Sequence, residues 1–282
     1  MTIEKTTIKA GLNKPVRLLH VTDSHLTRCD GRDDARKQKL AIDRKPAFHD
    51  VDDSAERYLA EQIEYAHAHC DLLVHTGDLI DFVSAANCDR ARELLRDPMI
   101  FFIAGNHEYS QYVGEAWEDK AYRMNSYMHM GEGLGVPMFF NARTVGGVNI
   151  VAMDNGYYLF EEWQLWRLKK EVDKGLPVIV AFHDPLYEPT LYDKIMSSGA
   201  TSAGLVGCDE EHLMRFSEYR SVQQRPDGPT LSMVDYITHE PGIIAILAGH
   251  IHFSYESRIP SGPMQYVTGG GYDGIAREVT II

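Results

Sequence analysis

Cysteine is scarce in this chain of 282 residues: Cys29, Cys70, Cys88 and Cys208 lie far apart, with no CxxC pair. That spacing argues against a disulfide scaffold or a thiolate metal site and fits buried or free thiols in a reducing cytoplasm. No apolar run of about 18 residues occurs, so no membrane-spanning helix is expected. The opening stretch MTIEKTTIKAGLNKP lacks the apolar centre of a secretory signal, and a cytoplasmic location is the expectation. Positive charge is also in short supply: 28 Lys and Arg stand against 41 Asp and Glu, a formal net charge of −13. A broad surface for nucleic acid or an anionic membrane would need the opposite balance. There is no repeat, no low-complexity tract and no linker rich in Pro, Gly or Ser, so one domain over residues 1–282 is expected.

What the chain does have is short apolar runs alternating with helical patterns. Residues 16–22 (VRLLHVT), 71–76 (DLLVHT), 99–105 (MIFFIAG), 147–154, 176–184 and 242–250 (GIIAILAGH) read as strands. Helices are expected over 53–70, near 84–96, around Trp117 to His129, over 159–175, and as a long polar stretch reaching Glu240. Strands alternating with helices of this length predict an α/β fold with a mainly parallel sheet. Three late runs, 253–259, 264–270 and 276–282, look like antiparallel strands of a second or mixed sheet. Long connections at 27–53, 108–135 and 186–240 mark candidate functional loops.

Five of the strand runs end in polar clusters: Asp23-Ser24-His25, Gly77-Asp78 with Asp81, Gly105-Asn106-His107-Glu108, His183-Asp184-Pro185, and Gly249-His250-Ile251-His252. In open α/β sheets, ligands bind at the carboxyl ends of strands. Carboxylate, amide and imidazole donors without thiolate suit Mn, Fe, Zn, Co or Ni. The two-residue spacing of Asp23 and His25, repeated in His250 and His252, would aim both side chains to one face if the backbone is extended. Seven candidate ligands (Asp23, His25, Asp78, Asn106, His183, His250 and His252) exceed what one ion needs. Two ions sharing a carboxylate account for the number.

The order D-x-H, G-D-x-x-D, G-N-H-E, H-x-P, G-H-x-H, spanning residues 23 to 252, resembles the calcineurin-like metallophosphoesterase superfamily. The resemblance implies a four-layer α/β/β/α sandwich with two mixed sheets and a dinuclear centre of divalent or trivalent transition-metal ions. One ion would take Asp23, His25, Asp78 and His252, and the other Asp78, Asn106, His183 and His250, with Asp78 bridging. His107 would face the substrate phosphate as the catalytic histidine. Asp81 matches the position that orients this histidine in the phosphoprotein phosphatase branch, although the arginine that follows there is Phe82 here. The implied activity is phosphoester hydrolysis by a hydroxide that two ions, roughly 3.5–4 Å apart, generate at neutral pH.

The expected substrate is a small-molecule phosphodiester or phosphomonoester, with a nuclease of the same superfamily or a non-catalytic metal-binding scaffold as alternatives. No membrane partner is expected, nucleic acid is disfavoured, and the motifs say nothing of oligomeric state. Several other polar residues have plain structural readings. His20, His49, His67, His69, His75, His129, His212 and His239 are expected to be hydrogen-bonded structural residues, and Glu108 a support of its loop. Asp184 is balanced between a partner for a motif histidine and a solvated carboxylate. Arg32, Arg36, Lys37 and Lys39 alternate with acids and read as a solvated face rather than a phosphate clamp. Tyr109, Tyr112, Trp117 and Tyr122 could stack on substrate or form an aromatic cluster under a lid.

Overall fold

The computed structural model describes residues 1–50, 53–114, 116–117 and 119–282; the side chains of Met128 and His129 lie outside the described set. In chain order the strands are β1 (Thr2–Ile8), β2 (Val16–Val21), β3 (Leu72–His75), β4 (Ile100–Phe102), β5 (Phe140–Val145), β6 (Val148–Met153), β7 (Val178–Ala181), β8 (Ile243–Ala248), β9 (Tyr255–Arg258), β10 (Met264–Val267) and β11 (Ile275–Ile281). The helices are α1 (Ala35–Asp43), α2 (Ser54–His69), α3 (Ala85–Leu94), α4 (Lys120–Leu134), α5 (Glu162–Val172), α6 (Pro189–Met196), α7 (Glu210–Leu213), α8 (Glu218–Gln223) and α9 (Gly228–His239). The strands form two mixed sheets, ordered β1-β11-β2-β3-β4 and β5-β6-β7-β8-β10-β9.

The strands read as continuous apolar runs because both of their faces are covered. Leu18, Val74 and Phe101 of the first sheet meet Ile150, Ile179 and Leu247 of the second in a shared inner core. Their neighbours in sequence, Leu19 and Leu73, face outward with Ala66 and Ile63 of α2. Val151, Val180 and Ile246 face the other way, against Leu168 of α5, Leu191 of α6, and Met233 and Ile237 of α9. The result is the expected four layers, helices outside two sheets.

Several expectations need correction. The long polar stretch before Glu240 is not one helical run but α6 to α9, separated by turns and capped locally; Asp209, Ser217 and Asp227 each accept a backbone N–H at a helix start. The late strands are only partly antiparallel. β10 is antiparallel to β9 but parallel to β8, and β11 crosses to the first sheet, antiparallel to β2 and parallel to β1. Strands β1 and β5 had no sequence signal, and α1 sits inside the loop 27–53. The helix expected around Trp117 begins at Lys120, where the Asp119 side chain accepts from Tyr122 N at 2.7 Å. The expectation for the His129 side chain falls outside the described residues. Among the described residues, no helix is long and apolar enough to cross a membrane, and all four cysteines are free.

Candidate metal centre

The polar clusters follow β2, β3, β4, β7 and β8, which belong to different sheets but end on the same edge. What aims their side chains is not the strand period. Each strand stops before its cluster, and Asp23 (φ 53°), His25 (φ 46°), Asp78 (φ 52°), His250 (φ 71°) and His252 (φ 59°) all adopt left-handed backbone conformations. A non-glycine residue held there costs about 1–2 kcal/mol, and such strain concentrates where the fold must present side chains for function. Ser24 turns away from the cluster, to within 2.9 Å of His75 Nε2. Two glycines permit the close approach. A Cβ at Gly105 would lie 2.4 Å from Asp78 Oδ1, and one at Gly249 would lie 1.9 Å from Thr22 Oγ1.

The donor atoms converge. Asp23 Oδ1 lies 3.3 Å from His252 Nε2 and 3.6 Å from His25 Nε2, and those two nitrogens are 3.2 Å apart. Asp78 Oδ2 lies 3.0 Å from His183 Nε2 and 3.7 Å from His25 Nε2, placing it between the two groups of histidines. His250 Nδ1 lies 3.2 Å from Asn106 Oδ1 and 3.3 Å from His183 Nε2. All seven candidate ligands are therefore in one cluster.

Three features fit this cluster to metal ions. Buried Asp23 Oδ1 has no hydrogen-bond partner, a state that ordinarily costs free energy. Ligands about 2.1 Å from a shared ion at tetrahedral or octahedral angles are separated by about 3.0–3.4 Å, close to these spacings. Finally, the opposite ring nitrogens are already engaged. His25 Nδ1 donates to Asp81 Oδ1 at 3.0 Å, and His183 Nδ1 to Thr76 O at 2.8 Å. Each therefore turns a lone pair on Nε2 toward the centre, the usual arrangement for a ligating imidazole.

The electrostatics of the ion-free cluster follow from burial among carboxylates. Burial alone would push His25 down, but Asp23, Asp81 and Asp78 outweigh it and raise the imidazole to about 9. His183 is raised well above its ordinary value against the same burial, chiefly by the charges of Asp78 and Asp23. His250 goes the other way, down to about 3, through burial and the neighbouring His183 charge.

His107 also sits within 4.8 Å of His25 and Asp78 donor atoms, so distance alone does not set it apart. Its hydrogen bonding does. Nδ1 lies 2.6 Å from the Asp81 carbonyl and 3.1 Å from Asp81 Oδ1, so that nitrogen carries the proton and donates. Asp81 is thus brought to both His25 and His107. Burial would raise its pKa, but hydrogen bonds from Arg44, His107 and His25 hold it well below the carboxylate range.

Arg44 is the principal residue that sequence reasoning missed. Its Nε and Nη2 donate to Asp81 Oδ2 and Oδ1 at 2.7 and 2.9 Å. Arg44 belongs to the 27–53 segment, as does Phe48, whose ring stacks on His25 with centroids 3.9 Å apart. No motif marks either residue, because their approach depends on α1 and the following turn folding back over β2. Of the other charges in that segment, Arg32 pairs with Asp30 and Asp89, and Lys39 with Asp43, on the surface as expected, while exposed Arg36 donates to the carbonyls of Val113 and Gly114.

Glu108 supports the loop rather than joining the cluster. Its carboxylate accepts backbone N–H groups of Asp78, Leu79, Ile80 and Gly105 at 2.7–3.2 Å. Burial, then the charge of Asp78, pushes it up to about 7. Asp184 is buried beside a motif histidine, with Oδ1 3.2 Å from His250 Nδ1, and burial raises it to about 8. His20 and His75 are buried and hydrogen-bonded to Thr76, Thr268 and Ser24. His49, His67, His212 and His239 pair with nearby acids, and His69 packs on Tyr65. Tyr109 is buried and donates to Asp154 at 2.9 Å, while Trp117 is exposed.

The sequence matches the family model of calcineurin-like phosphoesterases across residues 16–254, a span that includes every residue of the cluster. The chain belongs to the calcineurin-like phosphoesterase family. It is a hydrolase of phosphoester bonds, and the family uses a dinuclear metal centre. Among solved structures, this phosphoesterase is similar to a dimetal phosphatase from Danio rerio, at 13% identity over 91% of this chain and 88% of that one, with TM-score 0.45. It is also similar to the phosphopantetheinyl hydrolase of Mycobacterium tuberculosis, at 14% identity over 94% and 90%, with TM-score 0.42. The NAD nucleotidase of Haemophilus influenzae is 12% identical over 95% of this chain, which spans 52% of that protein, with TM-score 0.45. No curated protein matches the sequence.

Proposed function

We propose that the chain hydrolyses a phosphodiester or phosphomonoester of a small molecule at a centre of two transition-metal ions. Asp23, His25, Asp78 and His252 would hold one ion, and Asp78, Asn106, His183 and His250 the other, with Asp78 shared. The observation that carries this reading is the position of Asp78 Oδ2, 3.7 Å from His25 Nε2 and 3.0 Å from His183 Nε2. When bound, the ions supply Lewis-acid stabilisation of phosphoryl oxygens and activation of water.

The chain's own residues do the rest. Asp81 accepts the Nδ1–H of both His25 and His107 and fixes their tautomers. As the imidazolium, with Nδ1–H kept on Asp81, His107 would donate its Nε2–H to the substrate and pass that proton to the departing alcohol oxygen. The Asp78 carboxylate takes the His107 backbone N–H on Oδ1 at 2.8 Å, which keeps Oδ2 turned to the centre. Thr22 Oγ1 and His250 N donate to Asp23 Oδ2 at 2.7 and 2.9 Å, which leaves Oδ1 as the free ligand atom.

The test is hydrolysis of a bis-aryl phosphodiester, an aryl phosphomonoester, cyclic nucleotides and single-stranded DNA, each with Mn, Fe, Co, Ni or Zn. Turnover of the small esters with little on DNA is expected. Preference for DNA would favour a nuclease, and no hydrolysis with any metal would favour a scaffold.

A further inference from the structure

An open cleft of about 250 Å³ adjoins the cluster on the His250 side, lined by Tyr112, Tyr158, Ser202, Gly204 and Arg220 among others. It joins the loop after β4, the turn after β6, the segment before α7, α8 and the loop after β8. Tyr158 Oη lies 3.1 Å from His250 Nε2 and 2.6 Å from Tyr112 Oη. Both tyrosines hold left-handed backbone conformations, φ 62° and 64°, which a bulky side chain rarely takes without a reason. The Arg220 guanidinium lies over the Tyr112 ring, 4.7 Å from its centroid, and Nη1 donates to Gln223 Oε1 at 2.6 Å. Among the described residues, no carboxylate lies within ion-pair distance of Arg220.

The wall is braced around this arginine. Buried Gln224 accepts from Gly204 N and donates to Ser202 Oγ, both at 3.0 Å, tying α8 to the 202–204 turn. Gly204 keeps the opening clear, since a Cβ there would lie 3.0 Å from His250 Nε2. A guanidinium with no carboxylate partner among the described residues, set on an aromatic face and flanked by hydroxyls, suits a planar or tetrahedral oxyanion. We propose that Arg220, with Tyr112 and Tyr158, forms a subsite for a second anionic oxygen group, a carboxylate or a further phosphate, carried by the phosphoester substrate. This deepens the function proposed above and rests on it: the scissile phosphoester would occupy the metal cluster while its second anionic group extends past His250 to α8.

Titration calorimetry on the Mn-loaded full chain tests the subsite with non-hydrolysable probes. Phosphonoacetate, 3-phosphonopropionate and 4-phosphonobutyrate are compared with ethylphosphonate, alongside α,ω-bisphosphonates of the same chain lengths. At least one dianionic-ended probe should bind about tenfold more tightly than ethylphosphonate or more, as expected for a charge-assisted pair. The better arm separates a carboxylate from a phosphate. In Arg220→Gln that advantage should fall to within about twofold, and Arg220→Lys should retain part of it. Arg215→Gln, at an exposed arginine paired with Glu211, controls for lost surface charge, and matching thermal midpoints control for folding. An advantage that survives in Arg220→Gln belongs to the metals and overturns the subsite, as does a flat probe series. A flat series in a chain that still hydrolyses aryl phosphoesters refutes the subsite alone. Absence of both phosphonate binding and aryl phosphoester hydrolysis refutes the phosphoesterase reading, and the subsite with it.

Discussion

Replacing Arg44 by Met should unsettle the centre from outside it. Asp81 is fully buried and accepts four contacts: Nε and Nη2 of Arg44 at 2.7 and 2.9 Å, and Nδ1 of His25 and His107 at 3.0 and 3.1 Å. Removing one partner of a buried ion pair costs about 3–5 kcal/mol, largely because the remaining charge stays desolvated. Arg44 is 25% exposed at its side chain, so water can reach the vacated space and the cost shifts down from that range, to about 2–4 kcal/mol. Arg44→Lys keeps the charge but loses the two-pronged donor and should fall between. Urea unfolding of the metal-free chain at pH 7 in chelator measures these losses from midpoints at a fixed slope. In a cycle with Asp81→Asn, the coupling should be about 1.5–3 kcal/mol, because the arginine has less to compensate once the carboxylate is gone. An Arg44→Met variant within about 0.5 kcal/mol of the parent, or strict additivity with Asp81→Asn, would refute the reasoning.

Three further outcomes follow from particular contacts. His107→Ala should lower kcat on an unactivated phosphoester by roughly 10²–10⁴ while elemental analysis shows unchanged metal content; near-parental turnover would remove its acid role. Glu108→Gln replaces a carboxylate that accepts four backbone N–H groups with an amide that carries a single oxygen. At about 1–3 kcal/mol for an unsatisfied group, its unfolding midpoint should drop clearly, and an unchanged midpoint would contradict the bracing role. His20, fully buried, is pushed down to about 3 by burial and by the charges of Arg277 and His75. Between about pH 6.5 and 3 the unfolded chain binds a proton there that the native chain does not, so stability falls as pH falls, by roughly 1.4 kcal/mol per pH unit. His20→Gln should flatten the dependence of unfolding free energy on pH by about that amount between pH 6 and 4, and parallel curves would contradict it.

The site was more legible in the sequence than its geometry. Asp23, His25, Asp78, Asn106, His183, His250 and His252 each follow an apolar run by a few residues, so their shared edge could be read from local pattern and strand order. The reason they converge could not. Strand alternation was the available rule, whereas the chain turns through left-handed conformations at Asp23, His25, Asp78, His250 and His252, held by pairing between segments far apart, such as Asp23 N to Gly77 O and His25 N to Asp78 O. Strand β1 was silent for a related reason. Its alternation is weak, and its place comes from parallel pairing with β11, more than 270 residues away. Arg44, Tyr158 and Arg220 lie outside the motifs, and only the folded chain brings Arg44 to Asp81, Tyr158 to His250 and Arg220 to Tyr112.

Asp78 is predicted to be shared by a pair of ions. Elemental analysis of the fully Mn-reconstituted, gel-filtered chain tests it most directly, with Asp78→Ala measured alongside. Two ions per chain in the parent and at most one in the variant is the predicted result. A fully loaded parent that holds a single ion per chain would contradict the shared centre.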